Sequence, residues 1–301
     1  MAGRLALSGA ALLAGLTLVA AAHARSPHTA ALQAALRAHG LYDGAIDGIA
    51  GPLTNRATKA FQRHAGLVVD GRVGPATRRA LGPLGRPAFG RRAIHRNLLG
   101  WDVSVLQFLL TLRSEPVPVT GYFGPLTERV LRRYQQSHGL TADGIAGPAT
   151  IASLAHGTRG GRARGAGPSP GEASSVRTML NAWARVYGVD PGLVRALAWM
   201  ESGFQPGLVS KAGARGVLQV LPGTRAYVQT VLLGHKVPNT TSGNIRIGVV
   251  FLRQLLREFH GSESRALAAW YQGPASVRRH GPLKVTRRFV ANVLALRRRG
   301  V

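Results

Sequence analysis

Asp70-Gly71-Arg72-Val73-Gly74-Pro75-Ala76-Thr77 and Asp143-Gly144-Ile145-Ala146-Gly147-Pro148-Ala149-Thr150 are one phrase, Asp-Gly-x-x-Gly-Pro-Ala-Thr, written twice at an offset of 73 residues. The same offset relates Gly51-Pro52-Leu53-Thr54 to Gly124-Pro125-Leu126-Thr127, Phe61-Gln62 to Tyr134-Gln135 and Gly66-Leu67 to Gly139-Leu140. Leu32-Gln33 matches Leu106-Gln107 at 74, which places a one-residue difference in the loop that follows. Self-similarity at a fixed period marks two copies of one small domain. Within each copy the pattern is helical: Leu32, Ala35 and Leu36, and likewise Leu106, Leu109 and Leu110, share one helix face. In each Gly-Pro-x-Thr, Pro suits a turn or a helix's first residue, Thr can bond nearby backbone amides, and the following helix is expected to put Phe61 or Tyr134 inward. Asp43, Asp47, Asp70 and Asp143 do not fall at calcium-loop spacing, and Thr120 stands where the first copy has Asp47, so they are expected to build turns.

These repeats resemble the three-helix peptidoglycan-binding domain that accompanies many cell-wall enzymes, over residues 29–82 and 103–155. The resemblance implies binding of wall glycan or its stem peptides, with two tethered copies raising effective concentration. Gly82–Gly100 is expected to be a linker. Residues 156–174, with Arg159-Gly160-Gly161-Arg162 and Gly167-Pro168-Ser169-Pro170, are expected to be a second, flexible one.

Composition bounds the rest. The 301 residues hold 39 Lys plus Arg, 12 Asp plus Glu and no cysteine, so disulfides, thiolate metal sites and cysteine nucleophiles are excluded. The net charge of +27 calls for a polyanionic partner or reflects the arginine bias of a GC-rich genome. Residues 1–24 read as a signal peptide: Arg4, apolar Leu5–Ala22, then Ala22-His23-Ala24 as a small-x-small cleavage site. An exported protein, secreted or associated with the cell wall, excludes nucleic acid and makes anionic wall polymers the counterpart of the charge. A monomer is expected. The ten histidines show no ligand spacing, so neither metal nor cofactor is expected.

From Ser175 on the pattern is all helix. The expected elements are a helix from Ser174 or Ser175 to Tyr187, Pro191–Glu201 capped by Asp190, 244–260, Arg265–Tyr271 capped by Ser262 or Ser264, and Thr286–Arg299. The fold class is therefore mainly α, two small three-helix domains followed by one larger helical domain. Only four carboxylates lie between Ser175 and Val301: Asp190, Glu201, Glu258 and Glu263. Asp190 caps a helix, Glu258 sits among arginines, and Glu263 suits the start of a helix dipole. Glu201 has no such role. It ends an apolar helix beside Trp199, Met200 and Phe204, where the dipole and desolvation favour the protonated form that a general acid needs. The competing view is a solvated glutamate at a helix end.

The motifs around it decide. Glu201-Ser202-Gly203-Phe204, Gly216-Val217-Leu218-Gln219, Asn244-Ile245, Ala268-Ala269-Trp270-Tyr271-Gln272-Gly273-Pro274 and Thr286-Arg287-Arg288-Phe289 follow in an order and spacing that closely resembles the soluble lytic transglycosylases, over residues 175–298. The resemblance implies a lysozyme-like fold with Glu201 as catalytic acid and base. It implies substrate contacts from Ser202, Gly216, Val217, Gln219, Tyr271 and Gln272. Gln272 stands where that family usually has Asn, and Phe289 where it often has Tyr. Most glycosidases need two carboxylates; the family instead uses the substrate. The acid protonates the oxygen between N-acetylmuramic acid and N-acetylglucosamine, the acetamido group supports the cationic centre, and the muramic C6 hydroxyl closes a 1,6-anhydro ring. Two alternatives remain at this point: a hydrolytic muramidase of goose-lysozyme type, and an inactive wall-binding protein.

Overall fold

The computed structural model describes residues 25–156 and 171–301. The signal peptide read at 1–24 and the linker core 157–170 lie outside the described residues.

The first module is α1 (Pro27–Ala38), α2 (Pro52–His64) and α3 (Pro75–Ala80); the second is α4 (Trp101–Arg113), α5 (Pro125–Ser137) and α6 (Pro148–His156). Four of these helices, α2, α3, α5 and α6, open on the Pro of a Gly-Pro pair, where a missing N–H costs nothing. The repeated glutamines explain the repeated turns. Gln33, Gln62 and Gln135 are buried, and each Nε2 donates to the Oδ1 of the following Asp (Asp47, 2.8 Å; Asp70, 2.7 Å; Asp143, 2.9 Å). Each Oε1 accepts the next amide, from Gly48, Gly71 or Gly144. The same Asp Oδ1 accepts the amide two residues on, so these aspartates form Asx turns. In the fourth clasp Thr120 replaces Asp: Gln107 Oε1 accepts from both Thr120 and Gly121, and the Thr120 hydroxyl accepts from the Tyr122 amide.

The modules are packed face to face. Helices α1 and α4 bury nearly every residue, as expected of helices enclosed on several sides. Trp101 joins them, donating to His28 Nδ1 at 3.1 Å and lying under the Arg78 guanidinium.

The C-terminal domain comprises α7 (Glu172–Val186), α8 (Pro191–Ser202), α9 (Pro222–Tyr227, continued by a π turn to Leu232), α10 (Thr241–Glu258), α11 (Glu263–Gln272), α12 (Pro274–His280) and α13 (Lys284–Arg297). No strand forms among the described residues; isolated bridges such as Arg215–Val220 are the limit. Asp190 caps α8 by accepting from Gly192 at 2.9 Å, and Ser262 caps α11. Some expected boundaries move. Helix α7 begins at Glu172 instead of Ser174 or Ser175, because Gly171 at φ 80° makes the turn. Thr240, accepting from Gly243, starts α10 three residues before Asn244.

One expectation needs correction. Residues 82–100 do not form a loose linker. Gly82–Gly85 is a 3₁₀ turn packed against α13, Leu84 and Ile94 are buried, and Ile94 pairs with Ala146 through both backbone bonds. Apolar residues scattered among glycines were enough to fold it back. The two parts of the chain also share a seam. Trp199, fully buried in α8, donates to the Thr120 carbonyl at 2.9 Å, Arg177 donates to the Ala38 carbonyl, and Asn292 donates to the Asn97 carbonyl.

Candidate active site

Glu201 stands in the last turn of α8, partly buried at the base of a cavity of about 450 Å³. Gly203, at φ 62°, stops the helix, and Ser202 ties its end down. Trp270, one helix over on α11, donates its indole N–H to Glu201 Oε1 at 2.9 Å. Desolvation by burial pushes the Glu201 carboxyl up to about 7; the Trp270 bond opposes this but is the weaker influence. Near neutral pH the group therefore exists in both forms, the condition for giving a proton and taking one back.

The other three carboxylates of residues 175–301 have arginine partners: Glu258 with Arg278, and Asp190 and Glu263 both with Arg297. Glu201 pairs with no cation among the described residues and is the sole carboxylate among those lining the cavity. Glu172 lies in an adjoining groove of about 400 Å³, beyond Pro118, Leu126, Leu208 and Val209.

The residues expected at the site are placed as follows. Tyr271 lines the cavity, stacked on Phe289 at 4.5 Å with its hydroxyl donating to Asn97 Oδ1. Gln219 also lines it, at φ 43°, with Nε2 committed to the Leu208 and Gly216 carbonyls. Gly216 holds φ 72°, and a Cβ there would meet Asn244 Oδ1 at 2.6 Å, so its role is to let this turn pass over α10. Ser202 borders the cavity, but its hydroxyl bridges within the protein, donating to the Val217 carbonyl at 2.8 Å and accepting from the Gln205 amide. Gly216, Val217 and Gln272, all expected to touch substrate, do not line the cavity. Val217 is fully buried. Gln272 turns away from the cavity: Nε2 reaches Ser276 and the Gly281 carbonyl, and Oε1 accepts from Leu283 and Thr286. With an amide bonded on all sides, it joins α11 to the start of α13 and has nothing left for a sugar.

Several lining residues were not assigned from sequence. Trp270 is adjacent to Tyr271 in a quoted motif, but only the fold brings it to a residue 69 positions earlier. The opposite wall of the cavity comes from the second module, with Gln107, Thr120, Tyr122, Leu126 and Thr127, and from Arg96 in the segment before it. Burial holds the Tyr122 hydroxyl well above its ordinary pKa, with the nearby Tyr271 and Glu201 adding to the effect, so it stays protonated. No group of three or more His, Asp or Glu side chains could hold a metal ion among the described residues.

Comparison with known proteins agrees with this division. Residues 25–81 and 102–154 match the peptidoglycan binding domain, and residues 178–288 match the transglycosylase SLT domain. The chain carries two peptidoglycan-binding modules followed by an SLT domain.

The chain is 42% identical over 118 residues to the N-acetylmuramoyl-L-alanine amidase CwlM of Mycobacterium tuberculosis, covering 38% of this chain and 27% of that protein. It is 29% identical over 121 residues to the soluble lytic murein transglycosylase of Escherichia coli, covering 33% of this chain and 19% of the relative. Among solved structures, the 70 kDa soluble lytic transglycosylase of Escherichia coli aligns at 24% identity and a TM-score of 0.38, over 41% of this chain and 23% of that one. The alignments thus span about a third or less of these proteins' lengths.

Proposed function

We propose that the protein is a peptidoglycan lytic transglycosylase in which Glu201 is both acid and base. The observation that carries this is the carboxyl itself: raised to about 7 by burial and, among the described residues, paired with no cation and the one carboxylate lining its cavity. Protonated, Glu201 donates to the glycosidic oxygen between N-acetylmuramic acid and N-acetylglucosamine, and the leaving sugar departs with that proton. Positive charge develops at the muramic C1. With no second carboxylate in the lining among the described residues, the substrate's own acetamido group supports that centre. Glu201, now a carboxylate stabilised by the Trp270 N–H, removes the proton from the C6 hydroxyl, whose oxygen bonds to C1. The 1,6-anhydro ring forms, Glu201 returns to its neutral state and no water is consumed.

The peptidoglycan-binding modules support peptidoglycan as the partner and a place in the cell envelope. We propose export through residues 1–24, and the net charge of +27 suits attachment to anionic wall polymers. Incubating purified peptidoglycan with the protein tests the activity. Soluble muropeptides are expected from the wild type and none above background from Glu201→Gln. Equal release by both would overturn the assignment of Glu201.

A further inference from the structure

The cavity of Glu201 has two walls of different origin. One is the SLT domain, with Trp270 and Tyr271. The other is the second peptidoglycan-binding module, with Tyr122, Leu126 and Thr127. Between them stands Asn97, from the segment connecting the two modules. Its side-chain oxygen accepts two hydrogen bonds at once, from Tyr122 at 2.9 Å and from Tyr271 at 3.1 Å. A carbonyl oxygen has two lone pairs, so both are satisfied. Each tyrosine hydroxyl keeps its own lone pairs to offer. Phe289 completes the cluster, stacked on Tyr271 and meeting Tyr122 edge-on at 6.2 Å. Asn97 is itself fixed: φ is 67°, its amide donates to the Phe123 carbonyl, and its carbonyl accepts from Asn292.

The cavity is continued along the same seam by two grooves. The adjoining groove at one end shares Leu126 and Pro118 with the cavity, and that at the other shares Arg96 and runs on to Lys284 and Arg288. At both ends one side belongs to the module region and the other to the SLT domain. A module that served only as a tether would have no reason to bury a tyrosine hydroxyl against the catalytic domain's own tyrosine.

We propose that the second module is a working wall of the catalytic cleft: Leu126 meets the glycan strand, and Tyr122 acts through Asn97 as a positioning residue for the Tyr271 hydroxyl. This rests on the activity proposed above and extends it from the SLT domain to a site shared by two domains. Orientation of one such group governs the step that follows binding, whereas an apolar wall contact serves binding itself.

The test uses the full-length chain on purified peptidoglycan. Tyr122→Phe deletes only the hydroxyl. Asn97→Gly deletes the acceptor while keeping a residue at ease with positive φ. Both are expected to lower kcat about tenfold with KM within about twofold of wild type. Leu126→Ala is expected to raise KM about threefold or more at nearly constant kcat. Melting temperature and co-sedimentation with insoluble peptidoglycan are measured for the two hydroxyl-cluster variants: co-sedimentation should match wild type and both variants should be folded at the assay temperature, with Asn97→Gly melting lower because it leaves two tyrosine hydroxyls without their acceptor. Wild-type kcat in Tyr122→Phe and Asn97→Gly, or a loss that merely tracks unfolding at the assay temperature, would overturn the positioning role. An unchanged KM in Leu126→Ala would overturn the wall contact. An inert wild type would overturn the activity proposal and this one with it, whereas an active wild type with unaffected variants overturns this one alone.

Discussion

The indole N–H of Trp270 donates to Glu201 Oε1 at 2.9 Å, and no cation approaches that carboxyl among the described residues. Burial and this single bond pull in opposite directions, burial being the stronger, and together they leave the group near 7. A neutral donor suits a carboxyl that has to alternate between charge states. An arginine in its place would hold it ionised.

The first prediction concerns this bond. Trp270→Phe keeps an aromatic ring against Phe251, whose centroid lies 5.6 Å away, but removes the donor. The bond favours the charged form, so its loss raises the Glu201 pKa further. A hydrogen bond to a charged group contributes about 1.5–3 kcal/mol, so the basic limb of the kcat/KM profile should move up by about one to two pH units. In wild type that limb should bend near pH 7, with activity falling as Glu201 ionises.

Glu201 should also be costly to the fold. Its folded pKa is above the ordinary 4.5, so the folded state holds the proton more tightly than the unfolded chain. Stability is therefore lost as pH rises from 4.5 to 7 and stays lost above. Glu201→Gln escapes this. Its melting temperature should match wild type near pH 4 and exceed it at pH 8, by up to about 3 kcal/mol in stability. A constant difference across that range would contradict the burial argument.

The seam between module and domain rests partly on Gly203. It holds φ 62°, and a Cβ there would come within 2.5 Å of Thr120 Cγ2. Gly203→Ala should cost about 1–3 kcal/mol in thermal unfolding. Gly207→Ala, where a Cβ meets nothing within 4 Å, should stay within about 0.5 kcal/mol.

The glutamine clasps are predicted to support their modules. Gln135→Leu would strand the buried Gly144 amide and remove one donor from the exposed Asp143 carboxylate, whose bonds to Gln135 are both 2.9 Å. Destabilisation of about 2–4 kcal/mol is expected, read from chemical denaturation. The exposed neighbour Gln136 offers the control, with little effect on substitution to Leu.

Sequence carried the architecture because the structure-building residues are periodic and local. Gly-Pro helix starts, the Asp190 and Ser262 caps and the repeated glutamines all act within about twenty residues of themselves. Glu201 was legible by elimination, being the one acid of its domain without a capping or arginine-partnered role. The environment of Glu201 was not. Trp270, Tyr122 and Asn97 reach the site across 69, 79 and 104 positions of chain, and no local pattern encodes such approaches. Gln272 misled for the complementary reason: its place beside Tyr271 suggested the cleft, but successive helical residues point about 100° apart, and its amide serves the turn before α13 instead.

If Glu201 closes an anhydro ring instead of activating water, solvent oxygen never enters the product. Purified peptidoglycan is digested in heavy-oxygen water and the released muropeptides are weighed by mass spectrometry. Muramic ends that lack one water and carry no heavy oxygen are expected. Reducing ends that have gained a water, with heavy oxygen at the muramic C1, would contradict ring closure.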